Sequence, residues 1–412
     1  MHQKNRSAEL LLQELTDFIH EKLSMNQTVF IVFVDFTKAF DVLVKEIILE
    51  RLKWIGIDDI VLQWFENYLS DRKITVKLKN VFSEEFNWET GVPQGSLLGP
   101  MLFLIVVNSL PHFIKNFVRT WIFADDTILV TANKDPNIAI NRLQIEYIQL
   151  QKWTHDHGLI INNKKTKCLQ IIKGGIINKN LKLVHHEHEC LHNERTLNCK
   201  CKQSIELVEN HTYLGLMFDY RMDWDNHFNH LNNKLRSQVA NFFTLKNILP
   251  IKTLLIIYFA LVQSVINYGI QCFAIGNPAG MEKLAKLQLK IIKIIAEKEN
   301  CKIKEDIEVK KFCKENNILL IYDLYVFRQL FQFYENSDLK KEKTHSFNTR
   351  NNLYKTPLTF NKFGDKTLIS EIPNLFNKFM SNFRQEKEKK MSKQMLKKII
   401  KDHLLKNYNI SS

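Results

Sequence analysis

The chain of 412 residues carries 58 Lys and Arg against 44 Asp and Glu, a formal net charge of +14. Its 45% hydrophobic and 11% aromatic content supplies real cores and excludes wholesale disorder. Only 12 Gly and 8 Pro exclude a collagenous or linker-rich protein and favour long helices.

The first thirty residues hold no continuous apolar stretch, so no secretory peptide is expected. The most apolar runs, 101–107 and 254–266, are shorter than the ~20 residues that span a bilayer, so no membrane partner is expected. Seven Cys imply no disulfide framework and suit a reducing, intracellular setting. A basic excess without a membrane helix points to a polyanion, meaning nucleic acid; a merely solvated basic surface is the other reading.

In chain order, residues 8–24 show helical spacing, and Val29–Val34 is a β-branched and aromatic run that reads as a strand buried on both faces. Residues 38–54 and 58–70 return to helical spacing. Residues 74–78 and 81–88 suggest an antiparallel hairpin. Gly91–Gly95 is a turn, followed by an apolar helix from about 97 to 110. Val118–Ala124 and Thr127–Thr131 read as strands joined by Asp125-Asp126, and 137–157 as a helix. Strands are expected at 159–161, 168–172 and 212–218, around a His- and Cys-dense segment, 174–211. From 224 to 296 three helices are expected, and everything after about 300 reads as helical and Lys-rich.

Asp35 ends one apolar run, and Asp125 with Asp126 sits in the turn after another. Three carboxylates brought together would not all stay ionised without cations, and Mg²⁺ takes oxygen ligands while leaving positions for phosphates. Taken alone, Asp-Asp is also an ordinary turn pair. The neighbours add to the case. Asp35-Phe-Thr-Lys-Ala-Phe-Asp41, Gly91-Val-Pro-Gln-Gly-Ser-Leu-Leu-Gly-Pro-Met-Leu-Phe103 and Phe123-Ala-Asp-Asp-Thr127, in this order, resemble motifs A, B and C of reverse transcriptases. The wording is similar to non-LTR, LINE-type retrotransposons of the jockey type. Gly158–Thr166 resembles motif D, and Tyr213-Leu-Gly-Leu216 resembles the motif E primer grip. Tyr268–Ile270, Asn348–Arg350 and Ile372–Asn377 resemble what trails the polymerase in such elements.

The resemblance implies roles. Asp35 and Asp125 match metal-binding aspartates for two Mg²⁺ ions, and Asp126 matches the assisting second acid. Phe40 matches the position whose bulk blocks a ribose 2′-OH, which implies deoxynucleotides; by spacing alone it is a core residue on a helix face. Gln94, Gly95 and Ser96 match the loop along template and incoming nucleotide, where Pro93, Gln94 and Ser96 would otherwise be helix-start capping chemistry. Lys165, beside Lys164, matches the motif D lysine near the leaving pyrophosphate; both also read as a basic turn. Tyr213, Leu214 and Gly215 match the primer grip, or else a buried strand with a bulge.

The fold implied is α+β: a right-hand polymerase palm, an antiparallel sheet with helices on one face, with partial fingers, then a helical thumb and a helical C-terminal extension. The divisions expected are 1–210 for palm and residual fingers, 211–300 for primer grip and thumb, and 301–412 for the basic extension. The function implied is RNA-directed DNA polymerase of a mobile element, with RNA template, DNA primer and deoxynucleoside triphosphates as partners, acting in the nucleus on target DNA. The short stretch before Asp35 suggests N-terminal truncation, and hence the alternative of a catalytically crippled nucleic-acid-binding remnant. An RNA-dependent RNA polymerase is disfavoured by Phe40 and Pro93-Gln94-Gly95. His185, His186, His188, Cys190, His192, Cys199 and Cys201 are metal-ligand types, but their spacing is not a standard zinc pattern, so a polar loop is expected. Residues 384–406 hold nine Lys/Arg against three Asp/Glu and read as a basic amphipathic helix. It either binds template phosphates or docks by its apolar stripe.

Overall fold

The first periodic run folds as helix α1 (Ala8–Ser24), and the β-branched run after it as strand β1 (Thr28–Val34), buried along its whole length. The structure, a computed structural model, describes residues 7–114, 116–191, 203–299, 306–335 and 393–406. It divides into two units. One is residues 26–214 with the first eight; the other joins residues 9–25 to 215–412.

In the first unit, α2 (Lys45–Trp54) and α3 (Asp59–Leu69) precede a ribbon of short strands, β2 (Arg72–Ile74), β3 (Lys77–Leu78), β4 (Val81–Phe82) and β5 (Phe86–Trp88). Then come α4 (Leu98–Val107), α5 (Leu110–Phe113), β6 (Arg119–Phe123), β7 (Asp126–Asn133) and α6 (Pro136–Asp156). The unit closes with β8 (Lys167–Ile171), β9 (Leu183–Val184), α7 (His188–Leu191), β10 (Ser204–Val208) and β11 (Asn210–Tyr213). Six strands form one sheet in the order β6-β7-β1-β8-β10-β9. Its pairings are antiparallel except β8 with β10. Helix α6 starts with Pro136 at its first position and the Asp135 carboxylate accepting the Asn137 N–H at 2.8 Å, a cap of the expected chemistry. Its Leu143, Tyr147, Leu150 and Trp153 share a core with Phe30, Val32 and Val34 of β1 and Phe103 of α4. Burying each such side chain contributes ~1.5–3 kcal/mol.

Three sequence expectations are corrected. Residues 38–44 are not helix: Lys38 has φ +47° and α2 starts only at Lys45. Their backbone instead pairs with the 90–92 turn: Val92 N–H donates to Phe40 O (2.8 Å) and Gly91 N–H to Leu43 O (2.7 Å). The strand expected over 212–218 is broken by Leu214 (φ +45°) and Gly215 (φ +82°). The single 74–88 hairpin is two ladders, β2 with β5 and β3 with β4.

The second unit is helical apart from β12 (Leu216–Asp219). It continues with α8 (Asp225–Ile248), α9 (Ile251–Tyr258), a π turn (Phe259–Gln263), α10 (Ser264–Asn267), α11 (Ile270–Phe273) and α12 (Pro278–Ala296). The last described helices are α13 (Asp306–Glu315), α14 (Ile321–Glu335) and α15 (Lys393–Lys406). The early helix α1 is tied here by sequence-remote partners: Arg328 pairs with Glu9 at 3.0 Å, and Gly269 N–H donates to the same carboxylate at 3.1 Å. Helix α15 docks by burying Leu396, Ile400, Leu404 and Leu405; residues 384–392 of the expected basic helix lie outside the described residues, as do 348–350 and 372–377.

His227 of α8 is buried beside Phe273, ring centroids 4.8 Å apart, and burial, then His230 and Lys234, pushes its pKa down to about 4. The folded protein therefore keeps it neutral, while the unfolded chain takes up a proton below about 6.5. Its contribution is present above pH 6.5 and lost as pH falls to 4, amounting to about 3 kcal/mol over that window. His227→Gln should flatten this part of the stability–pH curve, measured by urea unfolding between pH 4 and 7.

Candidate active site

Strand register brings the three acids to one end of the sheet. β1 and β7 run antiparallel with Val34 opposite Thr127, so the next residues, Asp35 and Asp126, fall side by side. Opposed Cβ atoms at such positions lie ~4.5–5.5 Å apart. β6 and β7 are joined by a two-residue turn, with Phe123 opposite Asp126, and that turn holds Ala124 and Asp125. Ala124 has φ +54°, a left-handed conformation that costs a non-glycine residue ~1–2 kcal/mol. Such strain is characteristic of functional turns. Burial first, then the charges of Asp125 and Asp35, hold the Asp126 carboxyl above the usual carboxylate range. Asp126 thus senses both of the other acids.

Among the described residues no three His, Cys, Asp or Glu side chains are gathered into a metal-holding cluster. The acids share one end of the sheet. The donor set nonetheless fits a hard divalent cation: it is all carboxylate oxygen, partly exposed, with negative potential in excess.

Two polar clamps hold this end in place. The Asp35 N–H donates to Thr166 Oγ1 at 3.2 Å, and the Asn162 N–H donates to Asp35 O at 2.8 Å. A turn at 162–166, with Thr166 N–H donating to Asn162 O at 2.9 Å, delivers the buried Thr166 hydroxyl. Lys164 and Lys165, on that turn, are exposed. The second clamp joins the stretch after Asp35 to the 91–96 loop. Gln94 Nε2 donates to Asp41 Oδ1 at 2.7 Å, and Thr90 Oγ1 donates to Asp41 O at 3.1 Å. Gln94 and Gly95 are exposed. The Ser96 hydroxyl donates to Pro93 O (2.8 Å) and accepts from Gly99 N–H (2.9 Å), so it caps α4. Phe40 is half-buried against Phe103, centroids 4.5 Å apart, in an irregular segment rather than on a helix face.

Tyr213 is buried, its ring 5.6 Å from Phe33. Burial and then the Asp126 charge raise the pKa of its hydroxyl. That hydroxyl has no hydrogen-bond partner among the described residues. The His211 ring lies 4.3 Å from the same Phe33 ring, tilted by 33°. Leu214 and Gly215 form the left-handed turn that follows.

The His- and Cys-rich segment is distinct. Tyr147 Oη and Gln151 Nε2 meet His185 Nδ1 at 3.0 and 3.2 Å, and Gln144 Nε2 meets His186 Nε2 at 3.3 Å. Burial lowers the pKa of both histidines, so the two act as neutral docking groups on α6. His192, Cys199 and Cys201, and the side chain of His188, lie outside the described residues.

Sequence reasoning assigned no role to Asp41, Thr166, His211 or Ala124. Asp41 carried a signal, as the second acid six residues after Asp35; the other three carried none without their spatial partners.

A family model described as reverse transcriptase (RNA-dependent DNA polymerase) matches residues 3–218. A probable RNA-directed DNA polymerase from transposon X-element of Drosophila melanogaster is 22% identical over 64% of the chain and 28% of its own length. The RNA-directed DNA polymerase from mobile element jockey of Drosophila melanogaster is 24% identical over 69% of the chain and 30% of its own length. The chain therefore spans less than a third of the length of these relatives. Among solved structures, apo telomerase from Candida tropicalis, truncated from its C-terminal domain, matches with TM-score 0.37 and 14% identity over 52% of this chain and 39% of that one.

Proposed function

Because the chain belongs to the reverse transcriptase (RNA-dependent DNA polymerase) family, with jockey-like mobile elements among its relatives, we propose that it copies an RNA template into DNA for such an element. A primer 3′-OH attacks the α-phosphate of a deoxynucleoside triphosphate and displaces pyrophosphate. The observation that carries the reading is the convergence of Asp35, Asp125 and Asp126 at one strand end, with Asp126 held above its usual pKa by burial first and then by the charges of Asp125 and Asp35. In right-hand terms, residues 1–210 are palm with residual fingers, 211–300 primer grip and thumb, and 301–412 a basic extension. Acting on target DNA would place the protein in the nucleus.

Asp35 and Asp125, assisted by Asp126, are the groups that would hold two Mg²⁺ ions. When bound, such ions activate a hydroxyl and stabilise a leaving oxyanion on phosphorus. The chain's own residues do the positioning. Asp41 fixes Gln94, which orients the exposed 94–96 loop along template and nucleotide. Gly95 permits close backbone approach. Lys165 offers an exposed cation for the departing pyrophosphate. Tyr213, buried, and the left-handed pair Leu214–Gly215 bring a sharp turn to the primer end.

Template-directed extension of a DNA primer on homopolymer RNA, requiring the complementary deoxynucleotide and Mg²⁺, tests this reading. Binding of primer–template without any extension would make the chain a nucleic-acid-binding remnant instead. In the same assay Phe40→Ala should raise ribonucleotide relative to deoxynucleotide incorporation by about tenfold or more, the worth of one lost steric contact at a pocket wall. An unchanged ratio would leave Phe40 as a packing residue against Phe103.

A further inference from the structure

Strands β11 and β12 pair as a two-stranded sheet, and Leu214–Gly215 is the two-residue turn that joins them. Both residues have positive φ, +45° and +82°, the backbone of a tight hairpin turn that Asn-Gly or Gly-Gly normally supplies. Leucine is a costly occupant of such a backbone, and strain of this kind persists only where the surroundings over-determine it. The break between α10 and α11 does so here.

A Cβ at Gly215 would stand 3.2 Å from Tyr268 Cε1 and 3.9 Å from its Cζ and Oη, so the tyrosine ring rests on the bare backbone of the turn. The following residues interlock in the opposite sense. Gly269 has φ +66°, and a Cβ there would stand 2.9 Å from both Leu216 Cδ atoms. Leu216 is fully buried. Each turn therefore offers a glycine to a side chain of the other.

The 267–269 segment is itself tied at three points. The Tyr268 N–H donates to Ser264 O at 3.1 Å, and the Gly269 N–H to Glu9 Oε1 at 3.1 Å. Arg328 donates from Nε to Asn267 Oδ1 at 2.9 Å, and from Nη2 to the same Glu9 carboxylate at 3.0 and 3.1 Å. Gly215, Leu216 and all of these residues belong to the second unit. Tyr268 still keeps 36% of its surface exposed. A tyrosine seated in this way presents an apolar ring and a polar tip, with little rotamer freedom left to lose when a ligand arrives.

Resting on the reverse transcriptase reading above, we propose that Tyr268 is a positioning residue for the primer strand: it locks the Leu214–Gly215 turn, so that the turn offers one fixed surface to the primer's terminal nucleotide. Attachment of the duplex as a whole depends on summed positive charge. Alignment of its 3′-OH depends on a surface that does not shift, because a displacement of ~1 Å can cost 10²-fold in rate. Tyr268 therefore governs where the primer end sits and not how tightly the duplex is held.

A fluorescent base, 2-aminopurine, at the 3′ end of a DNA primer on RNA tests this without turnover, since its emission reports how the base is seated. Binding to the full chain should change that emission. Tyr268→Ala should remove most of the change while the dissociation constant for primer–template stays within about threefold. Tyr268→Phe keeps the ring carbon nearest Gly215 and should restore it. Gly215→Ala, which drives a methyl against the ring from the other side, should reproduce the loss, and it carries the test if circular dichroism shows Tyr268→Ala unfolded. In single-turnover extension, Tyr268→Ala should lower the rate per bound primer by about tenfold or more, with the KM for deoxynucleotide unchanged. An unaltered chain that leaves the terminal emission unchanged, or variants that keep the full change at saturation, would overturn the proposal and leave the polymerase reading standing on its own extension assay. A terminal signal that depends on Tyr268 in a chain that never extends the primer would uphold the proposal and overturn the polymerase reading.

Discussion

Asp35→Ala should abolish the proposed primer extension, by about 10³-fold or more, and leave primer–template binding within about twofold. The size follows from what the group does. Removing a single preorganised charge-stabilising group from a reacting centre typically costs 10²–10³. Asp35 also stands beside Asp126 at this end of the sheet, so its loss would remove part of the proposed cation site. Binding depends instead on summed positive charge over the chain, formally +14, which this substitution raises by one. The fold should persist, because Asp35 is held by its backbone, through Thr166 Oγ1 and the Asn162 N–H, and those bonds survive truncation of the side chain. Gel-shift and extension assays on the same preparation check both halves.

Gly91→Ala should cost about 2–5 kcal/mol of stability and silence extension, although residue 91 touches no proposed ligand. A Cβ at Gly91 would lie 2.5 Å from Asp41 O and 2.7 Å from two further Asp41 backbone atoms. Backbone atoms cannot swing aside, so the overlap costs ~1–3 kcal/mol. The backbone there also has φ +86°, adding ~1–2 kcal/mol for any residue with a Cβ. Relief requires the 90–94 turn to leave the 38–44 segment. That breaks the Gly91–Leu43 and Val92–Phe40 backbone bonds and the Gln94–Asp41 bond. Displacement of reacting groups by ~1 Å can cost 10²-fold in rate. Denaturant unfolding measures the first effect and primer extension the second.

These two residues also show what was legible from sequence. Asp35 announced itself: a buried strand of seven apolar or Thr residues ending on an acid is a pattern visible in one dimension. The same holds for β7, although the Asp-Asp pair read as the turn is shifted by one: Ala124 and Asp125 form it and Asp126 is the first residue of the strand. Segment 38–44 was not legible as a loop, because Phe40, Val42 and Leu43 mimic one face of a helix. What overrides that spacing is a set of backbone bonds to residues about fifty positions away. The clamps are less visible still: Thr166 reaches Asp35 across 131 residues, and Gln94 reaches Asp41 across 53. No periodicity encodes such pairs. The break at Leu214–Gly215 was hidden because Leu rarely adopts a left-handed backbone. The placement of α1 in the unit formed mostly by residues after 215 rests on the Glu9–Arg328 pair, 319 residues apart in sequence.

Asp35, Asp125 and Asp126 are proposed to form one divalent-cation site. Fe²⁺-directed hydroxyl-radical cleavage reads this directly, since a bound iron cuts the backbone around it. Fe²⁺ should cut the unaltered chain near both Asp35 and Asp125, and excess Mg²⁺ should suppress both cuts together. Asp35→Asn should remove the cut near Asp125 as well as its own. Cleavage at one segment only, or a cut near Asp125 that survives Asp35→Asn at full strength, would contradict the account.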